Sequence, residues 1–170
     1  MLSALISIVI YINAFIIFVL IGPIFVILSF FIPDKLMYKL SKVVCFLMLL
    51  GLGIRVVKKG TPPKSGSYIY MFNHTSFIDA FVFALCMKGP CTALIAKKNY
   101  DYPIWNLMLK RWKGIPIERK NHEQAIKSIE IAQGLIDQGF DIIVLPEGTR
   151  TITGNMSRFK KGGFHMAVNT

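Results

Sequence analysis

The sequence predicts an α/β fold, a mainly parallel sheet flanked by helices, that follows an apolar helical segment embedded in a membrane. Four short runs rich in β-forming residues, 68–72, 92–96, 115–117 and 141–145, alternate with helical stretches. This alternation is typical of a parallel sheet. The fourth run, "DIIVL", has no polar alternation after Asp141, as expected of a strand buried on both faces.

The membrane segment is predicted from the first 33 residues, which contain no charged side chain. Residues 2–32 exceed the roughly 20 apolar residues that span a bilayer. The pair Gly22-Pro23 interrupts this run, so the segment can form either a kinked helix or a re-entrant hairpin. Whether it spans the bilayer or is only embedded in it is also open. A second apolar run, residues 43–54, has cations on both sides and fits a segment lying in one leaflet. We expect residues 1–59 to form the membrane-anchoring helical region and residues 60–170 the α/β domain.

The charge of the chain indicates an anionic partner. The net charge is +11 although 54% of residues are hydrophobic and the mean hydropathy is +0.53. Lipid head groups and phosphorylated substrates fit this balance better than nucleic acid, because the basic residues form scattered pairs without a recognition-helix, zinc-finger or RNP-type pattern. Cations after the first apolar segment place the α/β domain on the cytoplasmic side.

Neither metal nor disulfide chemistry is expected. Cys45, Cys86 and Cys91 have no metal or redox spacing, and the three histidines are scattered along the chain. We therefore predict reduced cysteines in a cytosol-facing protein, with no metal site and no cofactor.

The clearest helix is predicted over residues 121–138. Asn121 is its N-cap, Gln124 completes a pair similar to a capping box, and Gly139 ends the helix. Its apolar positions form one stripe along the helix.

Polar residues follow each predicted strand. They are Asn73, His74 and Asp79 after the first strand, Lys97 and Lys98 after the second, Glu118, Arg119 and Lys120 after the third, and Glu147, Gly148, Thr149 and Arg150 after the fourth. Because the carboxyl ends of parallel strands lie at one edge of a sheet, these residues are expected to converge there.

His74 and Asp79 supply the chemistry expected at this edge. A histidine with an ordinary pKa of about 6.5 is a natural general base, and an aspartate can orient its ring. The two side chains face each other only if His74 lies in a loop and the following helix begins near Thr75 or Ser76. Taken alone, His74 and Asp79 also fit a polar turn with an N-cap, and "LPEGTR" also fits a tight turn with a surface ion pair. Arg119 and Arg150 offer planar groups suited to phosphate, and Gly148 permits close backbone approach.

Several blocks resemble the glycerolipid acyltransferase family, the 1-acylglycerol-3-phosphate (lysophosphatidate) acyltransferases. "NHTSFID" resembles the family's N-H-x-x-x-x-D block, "KGIPIERK" its second block, "LPEGTRT" its third, and "FKKGGFHMA" the stretch that usually follows. The resemblance covers roughly residues 68–167, with the blocks in the family's order. The apolar N-terminus also resembles that family.

The resemblance implies direct acyl transfer with His74 as base and Asp79 as its orienting partner. It implies that Arg119, with Glu147, Gly148 and Arg150, binds the glycerol phosphate, and that Lys97 and Lys98 hold an anionic carrier. Asn73 and Thr149 are further substrate-binding candidates. The donor is expected to be acyl-CoA or acyl carrier protein, and the acceptor lysophosphatidic acid in a membrane with anionic lipids. The family's later apolar-proline block has no counterpart, so a C-terminal truncation is expected. Glycerol 3-phosphate or another lysophospholipid as acceptor, and a non-catalytic protein that binds anionic lipids, are the alternatives.

Overall fold

The computed structural model describes residues 2–61, 65–118 and 121–169. Along the chain its elements are α1 (Leu2–Ile16), a π-helical segment (Ile17–Ile21), α2 (Gly22–Ser29), α3 (Asp34–Gly51), β1 (Ile69–Met71), α4 (Asp79–Cys86), β2 (Cys91–Ala96), a 3₁₀ helix (Lys97–Asp101), α5 (Pro103–Arg111), β3 (Ile115–Ile117), α6 (His122–Asp137), β4 (Asp141–Val144) and α7 (Gly162–Asn169). The chain divides into two units. The helical unit comprises Met1–Thr61 and Ala80–Lys88, and the sheet unit comprises Pro62–Asp79 and Gly89–Thr170.

The helical unit begins with a long apolar helix. Ala4–Ser29 forms a continuous helix of 26 residues with a hydropathy of 2.8, long and apolar enough to cross a membrane. Pro23 has no backbone N–H to donate, and just before it the Gly22 N–H donates to the carbonyl of Ile17, the longer-range bond of a π-helical segment. The helix therefore continues through Gly22-Pro23, and the re-entrant hairpin considered for this point is wrong.

Within the helical unit, α1 and α3 approach each other closely at Gly51. The Asn13 side-chain amide of α1 donates to the Gly51 carbonyl at 3.2 Å, and a Cβ atom at Gly51 would clash with Cδ1 of Ile17 in the adjoining π-helical segment. Lys42 caps the C-terminal end of α4, since its ammonium donates to the carbonyls of Met87 and Lys88 at 2.7 and 2.8 Å. A cation at this end of a helix also offsets its macrodipole.

The sheet unit contains a four-stranded parallel sheet in the order β1-β4-β2-β3. All four strands predicted from the sequence are present, and the predicted α/β class is confirmed. Consecutive residues Ile142, Ile143 and Val144 of β4 are buried, as expected of a strand covered on both faces. In the register of the pair β1–β4, Met71 lies opposite Val144, so the segments that follow these two strands leave the sheet side by side.

Two helices complete the core of the sheet unit. α6 packs through Ala132 and Leu135, which are buried, and the Ser128 hydroxyl donates to the Pro116 carbonyl of β3 at 2.7 Å. α7 buries Met166 and approaches the sheet at Gly163, where a Cβ atom would lie 2.9 Å from Cγ1 of Val144. The helices thus fix the sheet whose carboxyl edge carries the polar residues.

Candidate active site

The loop after β1 is held by the carboxylate of Asp79. Oδ2 of Asp79 accepts hydrogen bonds from the backbone N–H groups of Thr75 at 2.8 Å and Ser76 at 3.0 Å, and Oδ1 accepts from the Thr75 hydroxyl at 3.2 Å. The helix α4 begins at Asp79 itself, so the expectation that it begins near Thr75 or Ser76 is wrong. The two N–H groups bond to a side chain instead of entering a helical turn.

His74 and Asp79 form a hydrogen-bonded pair. Nδ1 of His74 lies 3.0 Å from Oδ2 of Asp79. Both side chains are largely but not fully buried, with exposed fractions of 22% and 15%. Because the carboxylate accepts at Nδ1, the ring carries its proton there and Nε2 is the nitrogen that can accept a proton from another molecule. The five-residue offset is therefore spanned by a loop that folds back onto the first residue of the helix.

The Asp79 environment favours the ionised carboxylate. Burial alone would raise its pKa, but hydrogen bonds from the Ser76 N–H, the His74 ring and the Thr75 N–H and hydroxyl outweigh burial and lower the pKa below its ordinary value. Asp79 is thus an anion that accepts hydrogen bonds near neutral pH. A fixed anion at Nδ1 stabilises the imidazolium that forms when Nε2 takes up a proton.

Glu147 joins the loop after β1 to the loop after β4. One of its oxygens accepts from the His74 backbone N–H and the other from the Ser157 backbone N–H, both at 2.9 Å. The residue is only 3% exposed. These two backbone bonds, from Ser157 first, lower the pKa of Glu147 below its ordinary value. The same loops are also tied by the Thr151 N–H, which donates to the His74 carbonyl at 2.9 Å.

Comparison with known proteins gives the family of the chain. The family model described as Acyltransferase matches residues 53–170, which include the whole loop between His74 and Asp79 and the segment around Glu147. The chain belongs to the Acyltransferase family.

Two curated relatives of this Acyltransferase-family chain carry specific names. The 1-acyl-sn-glycerol-3-phosphate acyltransferase of Cocos nucifera is 36% identical over 122 residues, 70% of this chain and 39% of the relative. The human 1-acyl-sn-glycerol-3-phosphate acyltransferase alpha is 38% identical over 123 residues, 68% of this chain and 42% of the relative. The chain therefore spans about two fifths of the length of these relatives.

The fold of the family member is also similar to a solved structure. The crystal structure of the 1-acyl-sn-glycerophosphate (LPA) acyltransferase PlsC from Thermotoga maritima matches with a TM-score of 0.75 at 24% identity, over 98% of this chain and 69% of that chain. The match includes both the apolar N-terminal helices and the sheet. At this identity the comparison supports the fold.

The remaining candidate residues of this member of the family lie in different surroundings. Asn73, Thr149 and Arg150 are exposed. Lys97 begins the 3₁₀ helix after β2, and its ammonium donates to the side-chain oxygen of Gln124 at 3.3 Å. Arg119 lies outside the described residues, after β3, which is separated from β4 by β2.

Gly148 occupies a position that suits glycine. Its φ angle is +78°, in the left-handed region that glycine adopts without strain. Its N–H donates to the Leu145 carbonyl at 2.9 Å, which closes a turn directly after β4. The turn directs Glu147 toward the backbone N–H of His74.

The backbone N–H groups that hold the loops of the site were not predicted from the sequence. These are the N–H groups of Thr75, Ser76, Thr151 and Ser157. Almost every residue has a backbone N–H, so side-chain identity gives no signal for this role. The polar residues after the first and fourth predicted strands indicated these regions, but not which backbone groups bond there.

Proposed function

We propose that the chain transfers an acyl group from an acyl thioester to the free hydroxyl of 1-acylglycerol 3-phosphate, which makes phosphatidic acid in phospholipid biosynthesis. The pairing of His74 with Asp79 in a member of the Acyltransferase family carries this proposal. The names of the relatives, and that of the structural neighbour, favour lysophosphatidate as the acceptor.

His74 acts as the general base in the proposed reaction. Nε2 accepts the proton of the acceptor hydroxyl while that oxygen bonds to the thioester carbonyl carbon. The tetrahedral intermediate then collapses, the carbon–sulfur bond breaks, and the imidazolium returns the proton to the leaving thiolate. The products are an ester and a free thiol, with the histidine regenerated.

Asp79 is a positioning residue in this reaction. Its carboxylate holds Nδ1, while the N–H groups of Thr75 and Ser76 hold the carboxylate. The ring therefore needs little rearrangement before proton transfer. The anion also stabilises the imidazolium that forms during the transfer.

In the proposed reaction, cationic and polar side chains that follow the strands bind the glycerol phosphate. We assign phosphate contacts to Arg119 and Arg150, contact with an anionic acyl carrier to Lys97, and polar contacts to Asn73 and Thr149. Guanidinium groups match phosphate through paired hydrogen bonds. Glu147 and Gly148 support this site by shaping its backbone, because both Glu147 oxygens already accept from backbone N–H groups.

The reaction takes place at a membrane. The long apolar helix supports membrane attachment of residues 1–59, and we propose that residues 60–170 form the acyltransferase domain on the cytoplasmic side. The charge of +11 favours a surface that contains anionic lipids. Both the acceptor and the product have acyl chains, so an attached enzyme meets its substrate without extracting it into water.

Replacement of His74 tests the proposal. We expect His74→Ala to lower kcat for acyl transfer to lysophosphatidate by roughly a hundredfold to ten-thousandfold, the usual contribution of a general base. The assay uses membrane-bound protein with acyl-CoA and, separately, with acylated carrier protein. The donor that supports wild-type turnover identifies the thioester used.

The matched control is His165→Ala, which removes an exposed histidine from α7. This variant should keep wild-type rates. Wild-type rates in His74→Ala would refute the assignment of the base. No transfer by the wild-type chain with either donor, together with retained binding of anionic vesicles, would instead favour a non-catalytic lipid-binding protein. A panel with glycerol 3-phosphate and other lysophospholipids then identifies the acceptor.

A further inference from the structure

An exposed apolar surface lies beside the loop that carries His74. We call it the α5 patch and define it as Phe77, Tyr102, Ile104 and Leu107, whose exposed fractions are 44%, 67%, 67% and 45%. Ile104 and Leu107 are three residues apart and so share one side of α5. Leu109 is the buried residue of the same helix.

The patch is connected to the candidate active site through Phe77. This residue lies between His74 and Asp79 in the sequence, and its ring is tilted against that of Trp105 with 5.5 Å between the ring centroids. Trp105 follows Ile104 in α5. The contact therefore places the N-terminal half of α5 against the loop that Asp79 organises.

Charges near the patch indicate which partner it meets. From Lys97 to Arg111 the chain has four cations, Lys97, Lys98, Lys110 and Arg111, and one carboxylate, Asp101. Aliphatic and aromatic side chains bordered by cations are typical of segments that lie at the surface of anionic membranes. If the partner were a protein with an apolar surface, the excess positive charge beside the patch would face no negative charge.

We propose that the α5 patch inserts into the boundary between the head groups and acyl chains of an anionic bilayer. The contact is made by the sheet unit and is additional to attachment through the apolar helix of the helical unit. Its consequence rests on the proposed function: insertion beside His74 brings the hydroxyl of a lipid acceptor to the base while the acyl chain of the acceptor stays in the bilayer.

Tryptophan fluorescence tests the contact directly. The chain has two tryptophans, Trp105 and Trp112, so Trp112→Phe leaves Trp105 as the only reporter. We expect vesicles of anionic lipids with brominated acyl chains to quench Trp105. In the same background Ile104→Asn with Leu107→Asn should lose most of this quenching, while the apolar N-terminal helix keeps the protein on the vesicles.

The matched control changes exposed isoleucines elsewhere in the sheet unit. Ile126 and Ile131 of α6 are 44% and 50% exposed, and Ile126→Asn with Ile131→Asn should leave the quenching of Trp105 unchanged. If the brominated chains do not quench Trp105 emission in vesicle-bound protein, the proposal is overturned. Equal quenching of Trp105 in the two double variants would also overturn it. If Trp112→Phe does not fold, the same comparison of double variants is made with both tryptophans present.

An activity measurement separates this proposal from the proposed function. Ile104→Asn with Leu107→Asn should raise KM for long-chain lysophosphatidate in vesicles roughly tenfold and leave kcat/KM for a short-chain, water-soluble acceptor unchanged. An equal decrease in kcat/KM for the long-chain and the short-chain acceptor would contradict a membrane role for the patch. If the wild-type chain transfers no acyl group to either acceptor, the proposed function fails, and the quenching result still decides whether the patch inserts.

Discussion

At Glu147 a single carboxylate ties together two loops that are far apart in the sequence. Its oxygens accept from the backbone of His74 and of Ser157, and hydrogen bonds to a charged acceptor are stronger than those between neutral groups. A carboxylate that is already satisfied in this way, and negatively charged, is poorly suited to hold a phosphate itself. In the proposed reaction, we therefore expect Glu147 to act by fixing the backbone from which His74 projects.

Replacement of Glu147 by glutamine distinguishes positioning from substrate binding. The amide presents an N–H₂ group where one backbone N–H now finds an oxygen, so one of the two loop contacts is lost. We expect Glu147→Gln to lower kcat roughly tenfold or more while KM for lysophosphatidate changes little. Steady-state kinetics in vesicles measure both quantities.

Glu123→Gln is the control for this change. Glu123 makes a salt bridge with Lys127 on α6 at 2.8 Å, and both side chains are mostly exposed, so its loss should be nearly neutral. A rise in KM at constant kcat in Glu147→Gln would instead assign Glu147 to direct contact with the substrate.

Among the elements, those with local signals were predictable from the sequence. The helix expected over residues 121–138 is found as His122–Asp137, and the Asn121 side chain accepts from the Gln124 N–H at 3.1 Å as an N-cap. The signal is local, because cap and partner are three residues apart. The strands were predictable for the same reason, since composition and turn residues marked each run.

Elements shaped by distant contacts were less predictable. The start of α4 was placed too early because Thr75 and Ser76 are good N-cap residues, whereas their N–H groups bond to Asp79. The convergence of polar residues was expected from parallel strands, but the adjacency of β1 and β4 was not. That adjacency brings Glu147 to His74, and it depends on a strand order that sequence patterns do not encode.

The approach of α7 to the sheet yields a stability prediction. A Cβ atom on Gly163 would lie 2.9 Å from Cγ1 of Val144 and 3.3 Å from Cε of Met71. The methionine can move, but the β-branched valine of a buried strand cannot do so without displacing the helix. We expect Gly163→Ala to destabilise the protein by roughly 1–3 kcal/mol, seen as a lower Tm in detergent solution.

The neighbouring Gly162 is a control of the same chemical type. It also lies in α7, and a Cβ atom there would meet nothing within 4 Å. Gly162→Ala should therefore leave the Tm unchanged or raise it slightly, because alanine favours a helix over glycine. Equal effects of the two substitutions would mean that α7 does not pack closely against Val144.

At the scale of the whole molecule, two forces favour membrane attachment. The 26-residue apolar helix Ala4–Ser29 provides a hydrophobic anchor, and the excess of 20 cations over 9 carboxylates provides attraction to anionic lipids. These forces respond differently to salt. The electrostatic part is screened over about 3 Å at 1 M salt, whereas burial of apolar side chains in the bilayer is not weakened by screening.

Extraction experiments therefore identify the dominant force. We expect the protein to remain with sedimented membranes after washes in about 1 M salt and to be released by detergent, because moving the exposed apolar side chains of α1 into water is costly. Introducing charge near the centre of the Ala4–Ser29 helix, as in Ile16→Lys with Val19→Lys, costs about 2.5–3.5 kcal/mol per residue and should make attachment sensitive to salt. Ile126→Lys with Ile131→Lys adds the same charge on α6 and should not make membrane attachment sensitive to salt. Release of the unaltered protein by salt alone would show that the cations, and not the apolar helix, hold it at the membrane.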